Sequence, residues 1–235
     1  MRDTGFYVQL HLHTAESSRC ARVGGADMAR ACKEAGYDLI VVTDHFFNAN
    51  TTVPYDLAWD EQVRMLFAGY RAAREMGEKI GLTVLAGWET YTDGPEYLTY
   101  GLGEDFLIKN RDIALLPKAQ YLRRVHAAGA FVTHAHPFRE ASYIPRFEPD
   151  PYGLDAVEAF NGRHMDPSFD EKARAFAARY KLPGVAGADA HNVMHIYDGA
   201  MRFPYPVTTF AEIFAAVKKG EYQIVPHLSE RALSL

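Results

Sequence analysis

Cysteine is scarce in this chain: Cys20 and Cys32 are the only two thiols among 235 residues. Two cysteines outside a CxxC pair build neither a disulfide framework nor a structural zinc site, and they fit reduced thiols of the cytosol. Cys20 follows closely on a pair of histidines and is placed near them, without a claim to be a nucleophile. Long apolar runs are also missing. None approaches the roughly 20 residues of a membrane span, and the opening MRDTGFYVQLHLHT has neither an apolar stretch nor a cleavage signal of the secretory kind. A cytoplasmic protein without a membrane partner is expected. Basic tracts are absent as well: the formal charge is −5, with acids and bases interspersed. That balance disfavours nucleic acid as the main partner but leaves room for a local basic rim that holds a phosphate. No repeat, low-complexity segment or linker divides the chain, so residues 1–235 are read as one domain.

What is present is a hydrophobic fraction of 48%, enough for a sizeable core. Much of it lies in five short apolar runs, each of which leads to imidazole or carboxylate. Tyr7–Leu10 leads to His11 and His13, Leu39–Val42 to Asp44 and His45, and Leu82–Ala86 to Glu89. Ala130–Thr133 leads to His134 and His136, and Gly184–Ala188 to Asp189 and His191. Each run has the length and β-branched content of a buried strand. The C-terminal ends of such strands are where α/β sheets and barrels gather their active sites.

Helical stretches alternate with these strands. Ala26–Ala35 carries apolar residues at helical spacing and stops at Gly36. Asp60–Met76 reads as one amphipathic helix ended by Gly77, and Pro117–Ala128 opens on a proline suited to a first turn. Tyr97–Gly101 and Leu154–Phe160 read as further strands, the latter with Glu158 and Asn161 near its end. Ser168–Tyr180 and Thr208–Lys218 are helices, the last capped by Thr208 or Thr209. The βαβα order predicts a parallel sheet with right-handed crossovers. Roughly seven β/α units fit, which favours a closed or distorted α/β barrel over an open sheet. The Pro-rich stretch Pro137–Pro151, with Tyr143, Phe147 and Tyr152 in or beside it, reads as a lid over the strand ends.

Residues two apart on a strand point to one side, so His11 and His13 can reach one cation, and His134 with His136, or Asp189 with His191, repeat the arrangement. Asp44 and His45 end a buried run, where charge is costly unless paired or bound to a metal. His45 is favoured as a ligand and Asp44 as the group that orients an imidazole. The two oxygens of Glu89 can bridge two cations, which one imidazole cannot do. Six of the ten histidines fall at these strand ends, a clustering that scattered surface histidines would not give. Mixed imidazole and carboxylate ligands suit zinc, manganese or iron.

HLHTAESS, VVTDH, GWE, THAHPF and GADAH together resemble the motifs of the PHP (polymerase and histidinol phosphatase) superfamily. The resemblance runs from His11 to His191. It implies a distorted (β/α)7 TIM-like barrel with two or three divalent metal ions at the C-terminal ends of the strands, and hydrolysis of a phosphoester. It implies that His11 and His13 hold a first metal with Glu89 and Asp189, that Glu89 bridges to a second held also by His136, and that His45 and His191 hold a third. The family usually supplies an Asp or His a few residues after the first pair. Here Ser17, Ser18 and Arg19 stand there, so the third site takes Glu16 or is weak. The family often has a His in the strand after the Glu motif. Here Glu96 stands there, and Glu96 or His134 would complete the second site.

The chemistry expected is hydrolysis of a small phosphomonoester or phosphodiester. Paired cations would bring a bridging water to hydroxide near neutral pH, with Glu89 and Asp189 at the centre. Arg139 is the first choice for the phosphate, with Arg19 and Arg163 behind it, and His134 or His164 would protonate the leaving oxygen. His195 is read as a pocket wall or surface residue. An amidohydrolase-like C–N hydrolase is the alternative, although such barrels generally use a bridging lysine and no strand here ends in one. A catalytically reduced metal-binding domain is a second alternative, and a polymerase-associated or nuclease domain is disfavoured by the acidic balance.

Overall fold

The computed structural model describes residues 4–92, 94–142 and 144–228. Its strands are β1 (Phe6–Gln9), β2 (Leu39–Val42), β3 (Thr83–Tyr91), β4 (Glu96–Tyr100), β5 (Phe131–Ala135), β6 (Ala156–Asn161), β7 (Gly184–Gly187), β8 (Asp198–Phe203) and β9 (Gln223–His227). The helices are α1 (Gly25–Glu34), α2 (Trp59–Leu66), α3 (Ala68–Ile80), α4 (Glu104–Lys109), α5 (Lys118–Ala127), α6 (Pro167–Tyr180) and α7 (Phe210–Lys219).

The strands form one sheet in the order β7-β6-β5-β4-β3-β2-β1-β8-β9. It curls until its ends meet. Just past β1, Leu12 bridges Ala190 in parallel; His13 N–H donates to Ala190 O at 2.9 Å, and Ala190 N–H to His11 O at 3.2 Å. The first half of β1 instead pairs antiparallel with β8. One strand edge is thus shared between β8 below and the segment after β7 above, giving a nearly closed barrel. At the start of the strands, Phe210 and Phe214 of α7 pack against Tyr100 and Phe131. They join an apolar cluster with Val8, Leu10, Val41 and Leu98. That end is plugged by hydrocarbon, and the opposite rim carries the histidines.

The sheet departs from the all-parallel expectation at β8 and β9, and at β4, which runs antiparallel to both β3 and β5. The cause is the short link between β3 and β4. Thr92 N–H donates to Pro95 O at 2.9 Å and Gly94 takes φ +119°. A hairpin of this size returns the chain antiparallel, whereas a parallel return needs a crossover of a dozen or more residues. The expected single helix over Asp60–Met76 is two helices that meet at Phe67. Gly77 does not end the second one. It is buried within α3, where a Cβ would stand 2.5 Å from Leu82 O, and the stop is Gly81 at φ +70°. Of the two candidate caps for α7, Thr209 closes a capping box with Glu212. The stretch Pro137–Pro151 has no regular secondary structure among its described residues; Tyr143 lies outside them.

Candidate metal centre

The rim gathers side chains from seven strand ends into a space from which solvent is excluded. His11 and His13 are 0% exposed, Glu89 1% and Asp189 2%. Glu89 lies at the middle. Its Oε1 is 3.2 Å from His136 Nε2 and 3.4 Å from His11 Nε2; its Oε2 is 3.1 Å from His45 Nδ1 and 3.4 Å from His13 Nε2. Each carboxylate oxygen therefore faces its own pair of imidazoles. Asp189 Oδ1 is 3.3 Å from His13 Nε2 and 3.5 Å from His11 Nε2, while Oδ2 accepts from Arg139 at 2.6 Å. Glu96 reaches in from β4, 3.6 Å from His136 Nε2.

Two of these residues have backbones that L side chains seldom adopt: His136 has φ +29° and Asp189 φ +51°. Positive φ at a non-glycine residue costs on the order of 1–3 kcal/mol and persists where the surroundings over-determine it. At His136 the N–H donates to Glu158 Oε2 at 2.9 Å. Glu158 also takes His11 through Nδ1, at 2.9 Å from its Oε1, and accepts from Asn161 Nδ2 at 2.8 Å. Around His13 a second chain of bonds runs outward: Nδ1 lies 3.3 Å from Ser18 Oγ, which donates to Asp44 Oδ1 at 2.7 Å. Asp44 thus touches no imidazole itself. It acts on His13 through Ser18, and it accepts both the N–H and the hydroxyl of Thr14.

Electrostatics divide the cluster. Burial pulls the imidazolium of His11 down, but Asp189, Glu158 and Glu89 outweigh it and its pKa ends well above the ordinary value. Burial and the neighbouring His45 and His191 hold His13 well below that value. Burial raises Glu89 and Asp189, yet His11 with His136 and His45 in the first case, and Arg139 with His11 in the second, bring both well below the usual carboxylate range. Burial lifts Asp44 to about 6 against the bonds from Thr14 and Ser18. Burial raises the Cys20 thiol, but the neighbouring His191 and His45 outweigh it and bring it to about 6.

Four overlapping donor groups result, each with ligand atoms within 4.8 Å of one another: His11/His13/Asp189, His11/Glu89/His136, His13/His45/His191 and His45/Glu89/Glu96. So many ligand atoms with so little water is a costly arrangement unless a cation binds among them, and the donor chemistry fits divalent metals. The grouping differs in detail from that implied by resemblance, since His13 belongs both with Asp189 and with His45 and His191.

Three expected residues are not brought into the cluster. Glu16 spends both carboxylate oxygens on the N–H of Gly25 at the start of α1, at 3.0 Å each. Arg19 donates to Thr51 O and does not line the adjoining cavity. His134 packs on Tyr97 and Phe147, with ring centroids 4.9 and 6.0 Å away, and neither of its nitrogens has a hydrogen-bond partner.

The cavity beside the cluster has a volume of about 510 Å³ and is lined by Cys20, Arg22, Arg139, Arg163, His164 and His191 among others. Arg139 also donates to Asn161 Oδ1 at 2.7 Å. Arg163 lies 3.4 Å from Asp198. His164 is held through Nδ1 by Asp170 at 2.6 Å, and His195 forms part of the wall. Tyr152 is 81% exposed and away from this space. The residues that sequence reading did not place here are Glu158, Asn161, Ser18 and Arg22. Glu158 is a carboxylate inside the apolar strand β6, which was the available signal; Ser18 and Arg22 gave none.

The family description "PHP-associated" matches residues 167–222 of the chain. A two-domain protein from Bacteroides vulgatus containing a predicted PHP-like metal-dependent phosphoesterase superposes with a TM-score of 0.70 at 17% identity, over 98% of this chain and 70% of that one. PsfC from Pseudomonas syringae superposes on this chain with a TM-score of 0.61 at 17% identity, covering 98% of this chain and 95% of that one. An amidohydrolase from Chromobacterium violaceum, with sulfate and no metal bound, does so at 0.55 and 12% identity, over 93% and 97%. At these identities the likeness concerns the fold. No curated protein matches the chain. Among the described residues, no helix is long and apolar enough to cross a membrane.

Proposed function

We propose that this chain is a metal-dependent phosphoesterase of the PHP kind acting on a small phosphomonoester or phosphodiester. The observation that carries the reading is Glu89, whose two oxygens face separate imidazole pairs beside a cavity edged by three arginines. His11, His13, Glu89, His136 and Asp189 would hold two divalent ions, with Glu96 at the second and with His45 and His191 available for a third. Bound there, such ions supply Lewis acidity, lowering the pKa of water toward neutrality and neutralising phosphoryl charge.

The protein's own groups do the rest. Glu158 holds His11 by Nδ1 and so keeps its Nε2 turned to the centre. Arg139, buried and paired with Asp189, offers its remaining guanidinium N–H groups to the phosphoryl oxygens, and Arg163 and Arg22 add positive charge at the cavity wall. His164, oriented by Asp170, is the residue of the wall suited to carry a proton to the leaving oxygen. A cavity of about 510 Å³ favours a small substrate over a polymer. The C–N hydrolase alternative finds no bridging residue among the described residues, whose strands contain no lysine.

The test is metal analysis of the purified protein, followed by assays of p-nitrophenyl phosphate and bis(p-nitrophenyl) phosphate against N-acyl and lactam substrates, with added manganese. Turnover of phosphoesters, abolished with loss of bound metal in Glu89→Ala, is expected. Turnover of amides with no phosphoester activity overturns the assignment.

A further inference from the structure

We infer that Gln9 is a positioning residue of the metal centre: its side-chain amide ties the backbone that carries His11 to the backbone that carries Asp189, and so sets the distance between the two. The inference rests on the reading of the cluster as a metal centre but not on phosphoester chemistry.

Gln9 is the last residue of β1 and is 0% exposed. It stands where that strand changes partners. Before it, Phe6–Val8 pair antiparallel with β8; after it, Leu12 pairs in parallel with Ala190. In the fork between the two, the amide of Gln9 takes the place of a backbone ladder. Its Oε1 accepts the N–H of His11 at 3.1 Å and the N–H of Ala188 at 2.8 Å. Its Nε2 donates to Tyr37 Oη at 3.0 Å and toward Gly199 O at 3.5 Å. Tyr37 Oη donates in turn to Ile196 O at 2.6 Å. A neutral carboxamide has the acceptor and the donors that this set needs. An apolar side chain would leave two buried N–H groups unpaired, and a carboxylate would have no hydrogen for Tyr37.

The backbone of Asp189 gives independent support. Its φ of +51° is one that L residues seldom adopt, and such a conformation persists only where its surroundings hold it. The N–H groups on either side of it are both committed to the first strand and its extension: Ala188 to Gln9 Oε1 at 2.8 Å, and Ala190 to His11 O at 3.2 Å. Removing the amide releases the first of these restraints. Asp189 Oδ1 is then free to leave its place 3.3 Å from His13 Nε2 and 3.5 Å from His11 Nε2. The fork is also tight enough to pass on a displacement. A Cβ at Gly199 would stand 2.3 Å from Gly187 O, and one at Gly187 would stand 2.4 Å from the Cβ of His11. Glu158 orients His11 through its ring, whereas Gln9 acts on the backbone of two ligands at once.

Competition for zinc between the whole protein and a chelator, far below Tm, tests this without any assay of activity. Gln9→Met keeps the length of the side chain and removes its acceptor and donors. Its zinc affinity is expected to fall by about 10–100-fold. Tyr37→Phe removes only the hydroxyl that orients the amide, and a smaller loss in the same direction is expected. Val217→Ala, in α7 at the opposite end of the barrel, is the control: a lower Tm with unchanged zinc affinity is expected. Wild-type affinity in Gln9→Met, or an equal loss in Val217→Ala, overturns the assignment and leaves Gln9 a merely structural residue. If Gln9→Met does not fold, Tyr37→Phe decides: a loss of affinity that the control does not share supports the assignment, and wild-type affinity overturns it. Wild-type protein that takes up no zinc, cobalt or manganese overturns the metal-centre reading itself, a different and recognisable failure.

Discussion

Glu158 Oε1 stands 2.9 Å from His11 Nδ1, and both residues are closed to solvent. The contact fixes the orientation of the His11 ring and leaves Nε2 facing Glu89 and Asp189. The other oxygen of Glu158 takes the backbone N–H of His136, whose φ is positive. One carboxylate therefore orients two of the proposed ligands. Partners of this kind typically change metal affinity by about 10–100-fold when altered. Glu158→Gln, close in shape but uncharged, is expected to weaken metal binding within that range, read by competition with a chelator. Unchanged affinity would remove Glu158 from the support of the site.

Arg139 has two separable roles, since it binds Asp189 at 2.6 Å and lines the cavity. If its main role is to receive phosphate, Arg139→Ala lowers kcat/KM for a phosphoester by about 100-fold or more and retains bound metal. Loss of metal in the same variant would show that the guanidinium serves chiefly to position Asp189. Kinetics and metal content measured on one preparation distinguish the two.

Which residues stood out in the sequence, and which did not, has physical causes. The runs that end in His11, His13, His45, Glu89, His136 and Asp189 were visible because a buried strand is apolar and its end is abruptly not. Glu158 stands inside β6 rather than at its end, and a lone carboxylate without a histidine beside it did not stand out. The alternation argument that placed His134 with His136 assumes a continuous strand. The φ of +29° at His136 breaks that continuity, and a left-handed backbone at a histidine has no signature in composition or spacing. The antiparallel β4 was hidden for a related reason: Tyr97–Gly101 reads as a strand of either direction, and only the length of the link before it decides. Glu96 enters the cluster as a consequence of that reversal.

Close contact between α3 and the segment after β1 adds a test of stability near the site. A Cβ at Gly69 in α3 would lie 1.7 Å from Thr14 Oγ1, and that hydroxyl donates to Asp44 Oδ2 at 2.5 Å. Alanine is the better helix former by about 1 kcal/mol, but overpacking of this kind typically costs about 1–3 kcal/mol, and the displaced group is the neighbour of His13. Gly69→Ala is expected to lower Tm by several degrees. A higher Tm, measured calorimetrically, would mean that Thr14 moves aside without cost.

His134 offers the most discriminating substitution. Its ring is 0% exposed, both nitrogens lack partners, and burial together with Lys118 and His136 keeps its pKa well below the ordinary value. It is held between Tyr97 and Phe147 as an aromatic filler. A buried polar group without hydrogen bonds costs on the order of 1–3 kcal/mol. Phenylalanine keeps the stacking and removes that penalty, at the expense of a slightly larger ring. His134→Phe is therefore expected to leave stability unchanged or raised by about 1 kcal/mol, with bound metal and turnover retained. The same substitution at His136 is expected to lose both. If His134→Phe abolished turnover while metal and Tm stayed at wild-type values, His134 would have to reach the substrate, and the packing of β4 against β5 would have to open during the reaction for it to do so.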